Sequence, residues 1–199
     1  MDALQTRLLN AALPGIAFDG WDMQVIRAAA VSLDLPKEEA DRAFPGGAFQ
    51  ALNVWVDGTN AQLRETLAND YNFESMKIRE RIATGVMVRL RAQQLHREAV
   101  RKGLALYQLP WNAPDGLKHL YATVDIIWRA AGDTSTDWNF YSKRTLLAKV
   151  YSSTLLYWLN DDSPNQSDTE AFLHRRIEDV MQIQKFKGKL TQWRQKAAI

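Results

Sequence analysis

The side chains best suited to move a proton near neutral pH are His96, His119 and His174, and they are scattered along the chain. None stands at a ligand-like spacing from a second histidine or a carboxylate pair, whereas a metal centre needs converging donors. His174 and Glu178 lie one helical turn apart but have no second Glu-x-x-His partner, so a di-iron bundle is not built. Glu80, flanked by Arg79 and Arg81, reads as a surface acid that pairs with neighbouring cations. There is no cysteine nucleophile, no G-x-S-x-G turn and no phosphate-binding glycine loop. The residues therefore predict no catalytic site, no metal and no cofactor, and a protein that is not an enzyme.

Binding chemistry is better represented. Asp137, Phe140, Tyr141 and Arg144 fall at i, i+3, i+4 and i+7, which places an acid, two aromatic rings and a cation on one helical face. Aromatics and arginine are the types most enriched in protein-binding hot spots, so this face is expected to be a partly exposed docking patch. The other reading is a helix start where Asp137 caps, Arg144 pairs with an acid and the rings pack inward. Near the C-terminus, Phe186, Leu190, Trp193 and Ala197 form a narrow apolar stripe flanked by Lys185, Lys187, Lys189, Arg194 and Lys196, with no acid among them. That is the pattern of a helix lying on anionic lipid, and equally of a basic tail or packed last helix.

The elements that must position these groups are helices. Leu4, Leu8, Leu9, Ala12 and Leu13 recur at helical spacing until Pro14-Gly15, where the run is expected to stop. Asp22 caps a second helix to about Leu33, and a brief third follows Pro36. A longer helix spans Ala48 to about Asn69, and one continuous amphipathic helix is expected from Phe73 to about Arg101, with Ile78, Ile82, Val86 and Leu90 at every fourth position. Asp115 starts a helix ended by Gly132, Asp137 caps one reaching about Asn160, and Ser167-Asp168-Thr169-Glu170 reads as a capping box for the last. Nothing alternates at period two, so the fold class is all-α. Ile126, Ile127 and Trp128, with Leu146, Leu147, Val150, Tyr151, Leu155, Leu156, Trp158 and Leu159, are apolar around more than one face and must be buried by neighbours or by a ligand.

Composition bounds the remaining choices. The chain has 199 residues, 46% of them hydrophobic and 24% charged, enough for one packed domain. A net charge of +2 carries no global field for nucleic acid, and no segment approaches a membrane span or a targeting peptide. Without cysteine, a reducing compartment is the simplest setting.

Four blocks in order carry a family resemblance: Lys77-Ile78-Arg79-Glu80-Arg81-Ile82, Ala130-Ala131-Gly132-Asp133, Asp137-Trp138-Asn139-Phe140-Tyr141-Ser142-Lys143-Arg144 with its sequel Asp161-Asp162-Ser163-Pro164, and Phe172-Leu173-His174-Arg175-Arg176-Ile177. The chain thereby resembles the Coq-nine family of ubiquinone-biosynthesis accessory proteins. The resemblance implies lipid binding without catalysis, in an apolar tunnel between helices. On that footing Ile82, Val86, Ile127, Val150, Tyr151 and Leu155 are expected to line a cavity for an isoprenoid quinone intermediate or a phospholipid. Asp137, Phe140, Tyr141 and Arg144 would then engage a demethoxyubiquinone hydroxylase, although many relatives carry Trp where this chain has Phe140. Phe186, Lys187, Leu190, Trp193 and Arg194 would contact the membrane surface. A homodimer is expected, cytoplasmic and peripheral at the inner membrane in a bacterium, or on the matrix side in a mitochondrion.

The segment from Leu8 through Trp21 to Phe44-Pro45-Gly46-Gly47 is similar to the helix-turn-helix of TetR-type repressors. This implies a TetR-like helical bundle: residues 1–69 as a three-helix scaffold, 70–184 as the lipid-binding bundle, and 185–199 as a basic amphipathic segment. A DNA-reading helix needs basic or amide side chains aimed at phosphate. Here Glu38, Glu39 and Asp41 outnumber Lys37 and Arg42, so no nucleic-acid partner is expected. The rival reading is a TetR-type transcription regulator with a lipid effector.

Overall fold

The computed structural model describes residues 2–70, 73–134 and 138–197, with side chains described over these except at 74, 138–140 and from 183 onward. Nine α-helices and short 3-10 turns make up the described chain, and no strand occurs among the described residues.

Helix α1 (Ala3–Asp19) opens with a capping box: Gln5 N–H donates to Asp2 Oδ1 at 2.7 Å, and Asp2 N–H to Gln5 Oε1 at 3.3 Å. The helix does not stop at Pro14-Gly15 as the sequence predicts; it runs through both and ends where Gly20 takes a φ of +93°. Gly15 has a packing reason to be inside, since a Cβ there would stand 2.8 Å from Val25 Cγ1, so α1 and α2 (Met23–Ser32) approach closely. Asp22 caps α2 as expected, accepting from Gln24 N–H at 2.7 Å. With α3 (Glu38–Ala43) these helices bury Leu8, Leu9, Ile16, Ile26, Ala30, Ala40 and Phe44.

Helix α4 (Gly47–Ala68) leaves this unit and packs along α7 (Ala113–Ala130) in the bundle. Between them the expected single helix from Phe73 to Arg101 is instead broken: a 3-10 turn at Phe73–Ser75, α5 (Ile78–Arg91), a second turn at Gln94–His96, then α6 (Arg97–Tyr107). No Gly or Pro marks the break. Its cause is tertiary, because Gln94 Oε1 accepts from Trp158 Nε1 at 3.1 Å and from Gln166 Nε2 at 2.9 Å. The change of direction lets α6 return against α1. Trp21 Nε1 donates to Ala99 O at 2.9 Å and its ring sits 5.4 Å from that of Trp55, which pins the N-terminal unit to the bundle.

Helices α8 (Trp138–Trp158) and α9 (Ser167–Ala197) complete the bundle. Trp158 is fully enclosed, with the Arg97 guanidinium over its ring at 5.3 Å. The start of α9 is capped differently from the Ser167-Asp168-Thr169-Glu170 box: Asp168 N–H donates to Ser163 Oγ at 3.0 Å and Thr169 N–H to Asp161 Oδ2 at 2.9 Å. A 3-10 turn at Pro164–Gln166 brings those two residues beneath the helix end. Tyr157 stacks on Phe172 at 4.5 Å, and Arg91 pairs with Glu170, joining α9 to α8 and α5.

Candidate functional site

The helices of the bundle enclose a cavity of about 540 Å³, within the usual span for small-molecule sites. Leu52, Trp55 and Val56 of α4 form one wall, and Val100, Leu104 and Tyr107 of α6 another. Leu117, Leu120 and Thr123 of α7 face Tyr151, Leu155 and Leu156 of α8, while Arg89 of α5 and the adjacent Gln93 complete the enclosure. Gln108, Ala113, Leu117 and Leu156 are the exposed members and mark its mouth. Gly116 sets the spacing there, since a Cβ would fall 2.9 Å from that of Tyr107.

One side of this apolar space is polar but internally satisfied. Tyr107 Oη donates to Asn53 Oδ1 at 2.7 Å, and His119 Nε2 lies 3.0 Å from the same oxygen. His119 Nδ1 is 3.3 Å from Asp57 Oδ1 at the surface. Burial holds the imidazole pKa below its ordinary value, with Asp57 opposing. Burial likewise raises the Tyr107 hydroxyl above the usual phenol range. These groups orient one another and leave no activated nucleophile.

Arg89 is the exception. It is 4% exposed, and neither Nε nor Nη1 has a hydrogen-bond partner among the described residues. Burial pulls its pKa down, with the neighbouring Tyr151 opposing. Arg89, Gln93 and Tyr107 are not singled out by the sequence, and His119 is weighed there only as a proton carrier or metal ligand. For the first two a signal existed: Ile82, Val86, Arg89 and Gln93 fall at i, i+4, i+7 and i+11, so the inner stripe of α5 continues into two polar residues.

Of the six residues expected to line a lipid cavity, Tyr151 and Leu155 do so. Ile82, Val86, Ile127 and Val150 are buried in the surrounding core, outside the lining. Ile127 illustrates why: its side chain fills the space above Gly85, at 3.0 Å from where a Cβ would stand, and closes α5 onto α7.

The residues expected to form a docking patch separate. Tyr141 is 62% exposed. Arg144 is 2% exposed, and this corrects the expectation that it lies on the surface. Its Nε donates to Asp125 Oδ1 at 2.7 Å and its Nη1 to Asp133 Oδ2 at 2.9 Å. Lys143 Nζ reaches Asp133 Oδ1 at 2.7 Å, and Trp128 Nε1 donates to Lys143 O at 3.0 Å. Arg81 Nη1 donates to Ala131 O at 3.3 Å, so the Lys77–Ile82 block, the Ala130–Asp133 block and the start of α8 meet at one junction. Asp137 and the Phe140 side chain lie outside the described residues, as do the side chains of Phe186, Lys187, Leu190, Trp193 and Arg194. The backbone carrying those last five is helical, within α9.

On α3, Arg42 pairs with Glu39, and Asp41 accepts from Arg27 of α2 at 2.7 Å, so little free positive charge faces outward there. Among the described residues no group of three or more His, Asp or Glu could hold a metal, and no helix is long and apolar enough to cross a membrane.

The COQ9 family model matches residues 113–184, the segment that supplies α7, α8 and the first part of α9. The chain is 36% identical over 186 residues to "Ubiquinone biosynthesis protein COQ9, mitochondrial" of Xenopus tropicalis, covering 90% of this chain and 58% of that protein. It is 33% identical over 188 residues to the protein of the same description from Homo sapiens, covering 92% and 59%. The chain thus spans about three-fifths of the length of these curated relatives. Among solved structures, a TetR transcriptional regulator from Nitrosomonas europaea superposes with a TM-score of 0.74 at 19% identity, covering 89% of this chain and 97% of that one. The chain has the fold of that TetR regulator, and in sequence it is similar to the COQ9 ubiquinone biosynthesis proteins over about nine-tenths of its length.

Proposed function

We propose that this chain is a non-catalytic accessory protein of ubiquinone biosynthesis, binding an isoprenoid quinone intermediate or another lipid in the helical cavity and presenting it to a demethoxyubiquinone hydroxylase. The observation that carries the reading is the apolar cavity of about 540 Å³ with its apolar mouth at Leu117 and Leu156. An aliphatic tail entering it leaves water at a gain of about 25 cal/mol per Å² buried. The hydroxylase would dock on the face that displays Tyr141, near the start of α8, the helix whose Leu156 marks the mouth. Relatives described as mitochondrial work beside a membrane in this reading, and the end of α9 would hold the protein there as a peripheral homodimer.

Mass spectrometry of organic extracts from the purified protein tests the proposal. A prenylated or acylated lipid should be recovered from the wild type and lost from Leu104→Trp, which adds bulk at a half-buried lining position. Recovery of no lipid from either would overturn it. The second reading, a transcription regulator, is favoured by the fold likeness alone. It predicts a sequence-dependent mobility shift at physiological salt, which the paired charges of α3 oppose.

A further inference from the structure

Among the described residues two arginines are almost fully enclosed, and they are treated differently. Arg144 sits between Asp125 and Asp133. Arg89, 4% exposed, has no salt bridge, and no Asp or Glu lines the cavity beside it. A guanidinium cannot escape burial by releasing its proton, and a lone buried charge is among the costliest groups a fold can hold. Its Nε and Nη1 are without a hydrogen-bond acceptor. Tyr107 and His119 both face Asn53, and among the lining residues Arg89 is the one fixed positive charge, with the neutral donors Gln93 and Tyr151 beside it.

We propose that Arg89 is the head-group anchor of the cavity, recognising a single-tailed amphiphile whose head is an anionic oxygen group, a carboxylate or a phosphate. The head meets the guanidinium at the enclosed end, and the tail runs along Leu52, Leu104 and Leu120 toward the mouth at Leu117 and Leu156. Two features support this orientation. The charged group lies on the enclosed side while the exposed lining residues lie at the mouth, and an anion supplies the acceptor that the protein itself withholds. The inference rests on the reading of the cavity as a lipid site and narrows it, selecting an anionic single-tailed lipid over an isoprenoid quinone, whose head is neutral. A neutral head is the weaker ligand at this end.

The test is calorimetric titration of the lipid-stripped full chain with oleate, oleyl phosphate and oleyl alcohol, each below its critical micelle concentration. At least one anion should bind about 10- to 100-fold more tightly than the alcohol, the range of a charge-assisted hydrogen bond. Whichever anion is tighter identifies the head. Arg89→Met should bring the anions to within about threefold of the alcohol, weaken the alcohol far less than the anions and raise the melting temperature of the empty protein, because a lone charge has been removed. Arg89→Lys keeps the charge without the planar fork and should retain a reduced preference. If the wild type binds the alcohol as tightly as both anions, the anchor is overturned while the lipid cavity stands. If none of the three binds, cavity and anchor fall together.

Discussion

Arg144 offers a sharp test of how the most distinctive part of the sequence works. Read from spacing, it belongs to a docking face, and Arg144→Ala should then weaken partner binding while leaving stability nearly untouched. The geometry predicts the reverse order of effects. Its guanidinium joins Asp125 at 2.6 and 2.7 Å and Asp133 at 2.9 Å, from a position 2% exposed. Removing one partner of a buried ion pair costs about 3–5 kcal/mol, because the other is left uncompensated. Two details pull the value to the lower end of that range. Asp133 keeps Lys143 at 2.7 Å, and Asp125, itself partly exposed, keeps Arg129 at 2.7 Å. We therefore expect a loss of about 3 kcal/mol, equivalent to a fall of about 6–12 °C in melting temperature for a chain of this size. The pH dependence should change as well. Asp125 is subject to burial, which raises its pKa, but the bonds from Arg129 and Arg144 outweigh this and the net shift is downward. A carboxylate with a depressed folded pKa adds stability that is present above the ordinary aspartate value and lost as pH falls through the folded one. The acid limb of the wild-type stability curve should be steeper than that of Arg144→Ala. Urea denaturation at pH 7 and at several values below 5, followed by circular dichroism, measures both. A melting temperature within 2 °C of wild type would refute the junction as an energetic element.

Asp161→Ala should cost about 2–3 kcal/mol, since Ser163 N–H, the buried Thr169 N–H and the Thr169 hydroxyl all donate to that carboxylate. Burial alone would raise its pKa, yet the bonds from Ser163 and Thr169 bring it to about 2, so the stabilisation is complete above pH 4 and fades as pH falls toward that value, which an acid titration of the melting temperature checks. Tyr141→Ala should leave the melting temperature within about 1–2 °C and weaken binding to a demethoxyubiquinone hydroxylase by about 1 kcal/mol or more in surface plasmon resonance; unchanged binding removes the ring from the interface. Truncation after Gln184 should abolish co-sedimentation with anionic liposomes at low salt, and equal sedimentation of both forms would reduce the final turns of α9 to a basic tail.

How far the sequence could be read depended on whether a signal was local. The Asp22 cap, the turn before α4 and the apolar inner face of α5 are written in neighbouring residues, and the all-α class follows from such signals, while the TetR-like architecture rests on the resemblance of the segment from Leu8 to Gly47. The break between α5 and α6 was not legible, because its cause is Gln94 accepting bonds from Trp158 and Gln166, far away in the chain. Pro14 misled in the opposite sense. Its ring removes one donor, but the packing of α1 against α2 at Gly15 carries the helix onward. For the cavity, periodicity identified inward faces and could not distinguish side chains that close helix pairs, such as Ile127, from those beside open space, such as Leu155. Arg144 was assigned outward because its helical face was counted without Asp125 and Asp133, which lie on α7 and just beyond it.

The bond from Trp21 to Ala99 has a wider consequence for the N-terminal helices. A helix-turn-helix unit that reads DNA on command must change its placement when a ligand enters the bundle, so its seam with the bundle has to yield. Here that seam is an indole pair, with Trp55 in the cavity wall and Trp21 hydrogen-bonded into α6. Breaking it would strand a buried N–H and open an aromatic contact together. The N-terminal helices thereby act as a buttress: they brace α4 and α6 from behind and hold the width of the cavity that those two helices wall.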